Sequence, residues 1–118
     1  MKNFLAVYLG GADTRQRREW DALDDASRQK RTQEGMKAWG DWMAKHHAAI
    51  VVEGGPLGKT KRTSSHGVGD TKNAMSGYIV VKAESHEAAA KLFENHPHFA
   101  IFPGESVEIM EVMPIPGR

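Results

Sequence analysis

The chain has 118 residues and no cysteine, which excludes disulfides, a thiolate nucleophile and a thiolate metal site. It has no apolar run close to the ~18 residues that a membrane-spanning helix needs. Its first residues form only a short apolar run, Phe4–Leu9, before Gly10 and Gly11, so no secretory signal is evident. These absences predict a cytoplasmic protein that has no contact with a membrane.

The chain also lacks a strong excess of charge, since its formal net charge is +1 at pH 7. Such a balance gives no overall field that would attract nucleic acid. Basic residues between Arg15 and Arg31 alternate with acidic ones such as Glu19 and Asp24, which is typical of a solvated helix face. We therefore expect no nucleic-acid partner. The length predicts one domain over residues 1–118.

Four β-rich runs and two amphipathic stretches follow one another in the order β, α, β, β, α, β. This order predicts an α+β, ferredoxin-like fold, in which a four-stranded antiparallel sheet carries two helices on one face. Strands are expected at Phe4–Leu9, Ala49–Glu53, Tyr78–Ala83 and Ser106–Met113. Helices are expected after a cap at Asp13 or Thr14, after Ser27 as a second cap or restart, along Met36, Trp39, Met43 and His47, and from Ser85 to Pro97.

The sheet face without helices is predicted to be apolar. In the last strand, Met110 and Val112 alternate with the residues that face the core, so they point to the other face of the sheet. Every second residue of Tyr78–Ala83 also points to that face. An exposed apolar patch of this size usually marks an interface. Two sheets packed face to face would cover it, so the pattern predicts a homodimer.

A glycine-bounded stretch from Leu57 to Asp70 has little periodicity and is expected to be a long loop or a hairpin. It contains basic residues and hydroxyl groups that suit a carboxylate or a phosphate. The glycine spacing of a phosphate-binding loop is absent. The candidate substrate-binding residues are Lys59, Lys61, Arg62 and His66; the alternative is a mobile basic loop on the surface.

His96-Pro97-His98 is the strongest local candidate for chemistry, because imidazole serves as acid or base near neutral pH. His98 and His96 are the candidate catalytic residues, with Glu108 as a carboxylate partner of His98. The alternative is structural: His96 ends a helix at the negative end of its dipole, and His98 bonds to a neighbouring strand. No metal site is expected, because the six histidines lack a recognised ligand spacing. No cofactor is expected either, since nucleotide-binding signatures are absent.

Two segments resemble the YCII-related (DGPF) domain family. They are Gly55-Pro56-Leu57 after the second strand, and Phe93 to His98 followed by Val107 to Met110. The resemblance implies a dimeric α/β barrel of ferredoxin-like type, with a cleft between the helix ends and the sheet. In some members an aspartate directly before the proline is proposed to pair with a histidine. Here His96 precedes Pro97, and residues 35–40 hold no histidine, so that pair is not carried over.

The leading hypothesis is that the protein binds a small polar or anionic organic molecule in a cleft near His96, His98 and Lys59. It would then perform histidine-based acid–base chemistry on that molecule. The alternative is a non-catalytic module whose function is homodimeric association. The sequence leaves open whether the protein is an enzyme.

Overall fold

Strand β1 (Lys2–Leu9) lies at the centre of the fold in the computed structural model, which describes residues 1–117. Its side chains Phe4, Ala6 and Tyr8 are buried in the hydrophobic core, because alternate residues of a strand point to one face of the sheet. Phe4, Val7 and Tyr8 of this strand are β-branched or aromatic residues, which favour an extended backbone. The other elements are α1 (Arg15–Asp21), α2 (Asp25–Lys45), β2 (Ile50–Pro56), β3 (Thr60–Ser64), β4 (Gly67–Thr71), β5 (Met75–Ala83), α3 (His86–Lys91), α4 (Pro97–Ala100) and β6 (Ser106–Glu111).

The main sheet has four strands in the order β2-β5-β1-β6, and all its neighbouring strands are antiparallel. Helices α2 and α3 pack on one face of this sheet. This confirms the predicted α+β, ferredoxin-like architecture. Strands β2 and β6 are free edges, so the sheet of the single chain is open. The dimeric barrel needs a second chain and stays a prediction.

The core between sheet and helices is built on aromatic side chains. Trp42 of α2 and Phe93 pack against Ile79 and Val81 of β5. The indole Nε1–H of Trp42 donates to the carbonyl oxygen of Leu92 at 2.9 Å, so this buried donor is satisfied. None of the helices within residues 1–117 is long and apolar enough to cross a bilayer.

The helix starts agree with the predicted caps in two of three cases. The Thr14 side chain accepts the Arg17 backbone N–H, and the Ser85 side chain accepts the Ala88 N–H. Ser27 is not a cap: it lies inside α2, where the Asp24 carboxylate accepts its backbone N–H at 2.6 Å. A carboxylate at this position also interacts favourably with the helix dipole, which explains why Asp24 is preferred.

The sequence pattern predicts one continuous helix from Ser85 to Pro97. The structure instead has two shorter helices with a turn between them. Helix α3 ends at Lys91, and turns follow up to Asn95, whose φ of 58° lies in the left-handed region. Pro97 then opens helix α4 at its first position, where the missing N–H is no loss. The structure thus makes Pro97 a helix start and His96 the cap before it.

The segment Leu57–Asp70 forms a hairpin, one of its two predicted forms. Strands β3 and β4 pair with each other in a separate two-stranded sheet, and residues 61–70 are all exposed. Strand β5 begins at Met75 and β6 ends at Glu111, so both differ by two or three residues from the expected bounds.

Two glycines of α2 provide a matched test of helix packing. Gly35 lies against the Phe102 ring, and a Cβ there would come within 2.5 Å of it, whereas a Cβ on Gly40 would meet no atom within 4 Å. Gly35→Ala should lower the free energy of unfolding by about 1–2 kcal/mol through overpacking. Gly40→Ala should raise it by up to ~1 kcal/mol through helix propensity. Denaturant unfolding measures both, and equal effects at the two positions would contradict this packing.

Candidate functional site

A cleft of about 600 Å³ lies between α2 and the helix-covered face of the sheet. We call it the aromatic cleft, because its wall is formed largely by rings. Its lining residues include Tyr8, Trp39, His98, Phe102, Met36, Met43 and Glu53. The volume is in the range of ordinary small-molecule sites, roughly 300–1,000 Å³. Glu53 is the only charged side chain in the lining.

His96 lies directly behind this cleft and has no solvent exposure. Its Nδ1 accepts the backbone N–H of His98 at 3.0 Å. An accepting nitrogen carries no proton, so the proton of the neutral ring is assigned to Nε2. Nε2 faces the Tyr8 hydroxyl at 3.5 Å, at the long end of hydrogen-bond distances.

The surroundings keep both partners of this pair neutral. Burial, followed by the nearby His98 and His46, lowers the pKa of His96 to about 3. The rings of Trp39 and Trp42 lie 4.5 and 4.7 Å from the imidazole, measured between centroids. Burial raises the pKa of Tyr8 well above its usual range. His96 is therefore a hydrogen-bond donor at neutral pH, and Tyr8 keeps its phenolic proton.

His98 is fixed between the ends of two strands. Its Nε2 lies 2.9 Å from the carbonyl oxygen of Leu9, which only accepts, so this nitrogen donates. Burial lowers the pKa of His98, while the backbone of Leu9 and Ser106 opposes that shift. Gly104 packs so closely on the imidazole that a Cβ there would overlap it. The ring contributes to the cleft wall and also joins β1 to the segment before β6.

The predicted pair of His98 and Glu108 is not formed. Glu108 is opposite Val7 in the β1–β6 register, whereas Tyr8, which contacts His98, is opposite Val107. Neighbouring residues of a strand point to opposite faces, so Glu108 is on the face away from the helices and is exposed. The expected couple is wrong because the sequence does not reveal which face carries His98.

The predicted basic binding residues also lie apart from the histidines. Lys59, Lys61, Arg62 and His66 are all exposed on or beside the β3–β4 hairpin, and none of them lines the aromatic cleft. Lys61 forms an ion pair with Asp70 across the hairpin at 2.7 Å. Within the single chain, the histidines and the basic residues do not form one site.

Sequence reasoning missed Tyr8, Trp39 and Glu53 as site residues. Tyr8 and Trp39 belong to patterns that predict core, and Tyr8 meets His96 across 88 positions of sequence. The alternation of residues in β1 could have identified Tyr8. It lies on the core face with Phe4 and Ala6, but near the end of the strand, where the core borders the loops. Among residues 1–117, no group of three or more histidine, aspartate or glutamate side chains is placed to hold a metal ion.

No family model and no curated protein sequence matches this chain. A solved structure does match: 5-chloro-2-hydroxyhydroquinone dehydrochlorinase of Burkholderia phenoliruptrix, in complex with 2,5-dihydroxybenzoquinone. The TM-score is 0.54 at 18% identity, and the match covers 94% of this chain and 93% of that chain. The likeness extends over nearly the full length of both chains and shows a shared fold.

The neutral state of His96 predicts an acid-sensitive fold. The unfolded chain binds a proton at a histidine pKa of ~6.5, whereas folded His96 does so only near 3, so stability falls as the pH decreases between these values. Well below pH 6.5 the loss approaches ~1.4 kcal/mol per pH unit for this one group. His96→Asn keeps a capping side chain but does not titrate, so its free energy of unfolding should fall less steeply from pH 7 to 4.

Denaturant unfolding of both proteins across this range measures the difference. Contributions from His98, His46 and the carboxylates are common to both proteins and cancel. Parallel pH profiles for the two proteins would show that His96 has an ordinary pKa in the fold.

Proposed function

We propose that the aromatic cleft binds a small planar organic molecule, and that Tyr8 donates a hydrogen bond to an oxygen of that molecule. The observation that carries this proposal is the neutral Tyr8–His96 pair on the wall of a ring-lined cleft of about 600 Å³. Concave, mainly apolar sites with a few placed polar groups are the usual form of small-molecule sites.

The lining favours an aromatic ring. Trp39 and Phe102 offer faces and edges to a flat ligand, and offset or edge-to-face ring contacts contribute roughly 0.5–1.5 kcal/mol each beyond area burial. Met36 and Met43 supply flexible thioethers that pack against rings and adapt to their substituents. Gly40 and Gly77 add no side chain, which keeps space open between α2 and β5.

The Tyr8–His96 pair suits polarisation better than proton donation. Because His96 Nε2–H donates to the phenol oxygen, the Tyr8 proton is available for a ligand oxygen. The raised pKa of Tyr8 makes it a poor Brønsted acid, but such a donor still stabilises negative charge that develops on a carbonyl or phenolic oxygen. Glu53 is the carboxylate of the lining that would accept a proton from the ligand.

The fold comparison supports this class of ligand. The dehydrochlorinase with the same fold acts on a chlorinated hydroxyhydroquinone, and its structure contains 2,5-dihydroxybenzoquinone, so that fold holds a small oxygenated ring there. Membership of the YCII-related family is part of this proposal. It is supported by the ferredoxin-like topology and by Gly55 and Pro56 of the resembling segment, which line the aromatic cleft.

The binding proposal predicts a specific loss. With 2,5-dihydroxybenzoquinone as the probe, Tyr8→Phe should weaken binding roughly tenfold, because the ligand oxygen loses its donor. Trp39→Ala should weaken it further by removing a wall of the cleft. Lys61→Gln, on the exposed hairpin, is the control and should leave affinity unchanged. Isothermal titration calorimetry measures all four proteins; weakening by Lys61→Gln alone would move the site to the hairpin.

Self-association is a second candidate function, favoured by the sheet face opposite the helices. Leu5 lies opposite Val80 on one side and Met110 on the other, which forms an apolar row across three strands. The core cluster places α2 and α3 on the other face. Met110 remains 41% exposed, as expected for a patch that a partner covers. We propose that a second copy of the chain packs on this face.

The association proposal is tested by a charge in the middle of the row. Met110→Lys should convert a dimer to a monomer in size-exclusion chromatography with light scattering, because an unpaired charge in an apolar interface is costly. Ala88→Lys, on the exposed surface of α3, is the matched control and should stay dimeric. A wild-type protein that is monomeric at high micromolar concentration would contradict the proposal.

A further inference from the structure

A second cavity of about 480 Å³ lies next to the aromatic cleft. Three residues, Ser76, His98 and Phe102, line both cavities and so lie where the two cavities meet. The second cavity is otherwise lined by the loop Gly10–Ala12, by Pro103 and Gly104, and by two charged residues of α1, Arg17 and Asp21. Its lining therefore differs in character from the ring-lined cleft.

Arg17 is the cationic group of this second cavity. Its guanidinium Nε lies 3.3 Å from Oδ1 of Asp21, one turn further along α1. Among residues 1–117, the guanidinium has no ion-pair partner other than Asp21. A guanidinium presents its donors in a planar fork that matches the two oxygens of a carboxylate. Asp21 occupies part of this donor fork, and an anionic ligand that binds there would compete with it.

The loop opposite Arg17 leaves room for such a group. Gly10, Gly11 and Ala12 bring almost no side-chain volume into the cavity. Gly10 is held by its backbone N–H, which donates to the carbonyl oxygen of Ala74 at 2.9 Å, and a Cβ on it would contact Gly104. Backbone and small residues therefore form a fixed floor, with the guanidinium on the α1 side.

We propose that the two cavities form one binding site for an aromatic acid, with the ring in the aromatic cleft and the carboxylate on Arg17. This inference rests on the proposed function, since it assigns the ring to the same cleft. It adds a determinant of specificity that lies outside the cleft. The part of the ligand between the ring and the carboxylate passes Ser76, His98 and Phe102, the residues shared by both cavities.

The test compares two probes that differ only in charge, para-hydroxycinnamate and its primary amide. Wild-type protein should bind the acid roughly tenfold more tightly than the amide in isothermal titration calorimetry at moderate salt. Arg17→Gln should abolish this preference by weakening the acid while leaving the amide unchanged. Asp21→Asn should strengthen binding of the acid, because it removes a competing carboxylate.

Arg15→Gln is the matched control. Arg15 lies on the same helix, pairs with Glu19 and lines neither cavity, so both affinities should stay at wild-type values. Equal binding of acid and amide by wild type, with no effect of Arg17→Gln, would overturn this inference and leave the aromatic cleft in place. Binding of neither probe would overturn the aromatic cleft and this inference together.

Discussion

The hydrogen bond from the His98 backbone N–H to Nδ1 of His96 determines how the rest of the site is arranged. It caps helix α4, so it fixes the backbone turn and the orientation of the imidazole at once. With Nδ1 occupied, the remaining nitrogen is left as a donor toward Tyr8. Pro97 between the two histidines restricts the backbone and makes this local bond inexpensive in conformational entropy.

The burial that keeps His96 neutral lowers the stability of the fold in acid. A buried imidazole that cannot protonate destabilises the protein in acid, yet the side chain is kept under two tryptophan rings. Buried polar groups are tolerated when they are hydrogen-bonded, and both ring nitrogens of His96 have a protein partner. Such an arrangement supplies a donor whose charge state is constant over the physiological range, which suits binding and polarisation more than proton shuttling.

Close backbone contacts hold the two cavities in place. Phe102 lines both of them and packs against Gly35, while Gly104 packs against the His98 ring. A side chain at either glycine would displace a residue that lines both cavities. Glycine at these positions is thus explained by space, since neither has the positive φ that would require it.

Local patterns predict much of this fold and little of its site. The parity of β1 and β6 and the caps at Thr14 and Ser85 follow from rules that act within a few residues. The prediction of a continuous helix up to Pro97 is wrong, because the helical periodicity of the sequence does not reveal the turn at Asn95. The site depends instead on which strand face meets the His96-Pro97-His98 turn, and that is a property of tertiary packing.

The two functional candidates make different demands on the chain and need not compete. The rings of Tyr8, Trp39 and Phe102 and the Tyr8–His96 pair lie on the helix-covered face of the sheet. The apolar row from Val80 through Leu5 to Met110 lies on the other face. Strand parity therefore separates them: a substitution that disrupts the row leaves the cleft residues intact, because adjacent positions of one strand serve opposite faces. The proposed association therefore uses one face of the sheet, and the proposed ligand binding uses the other.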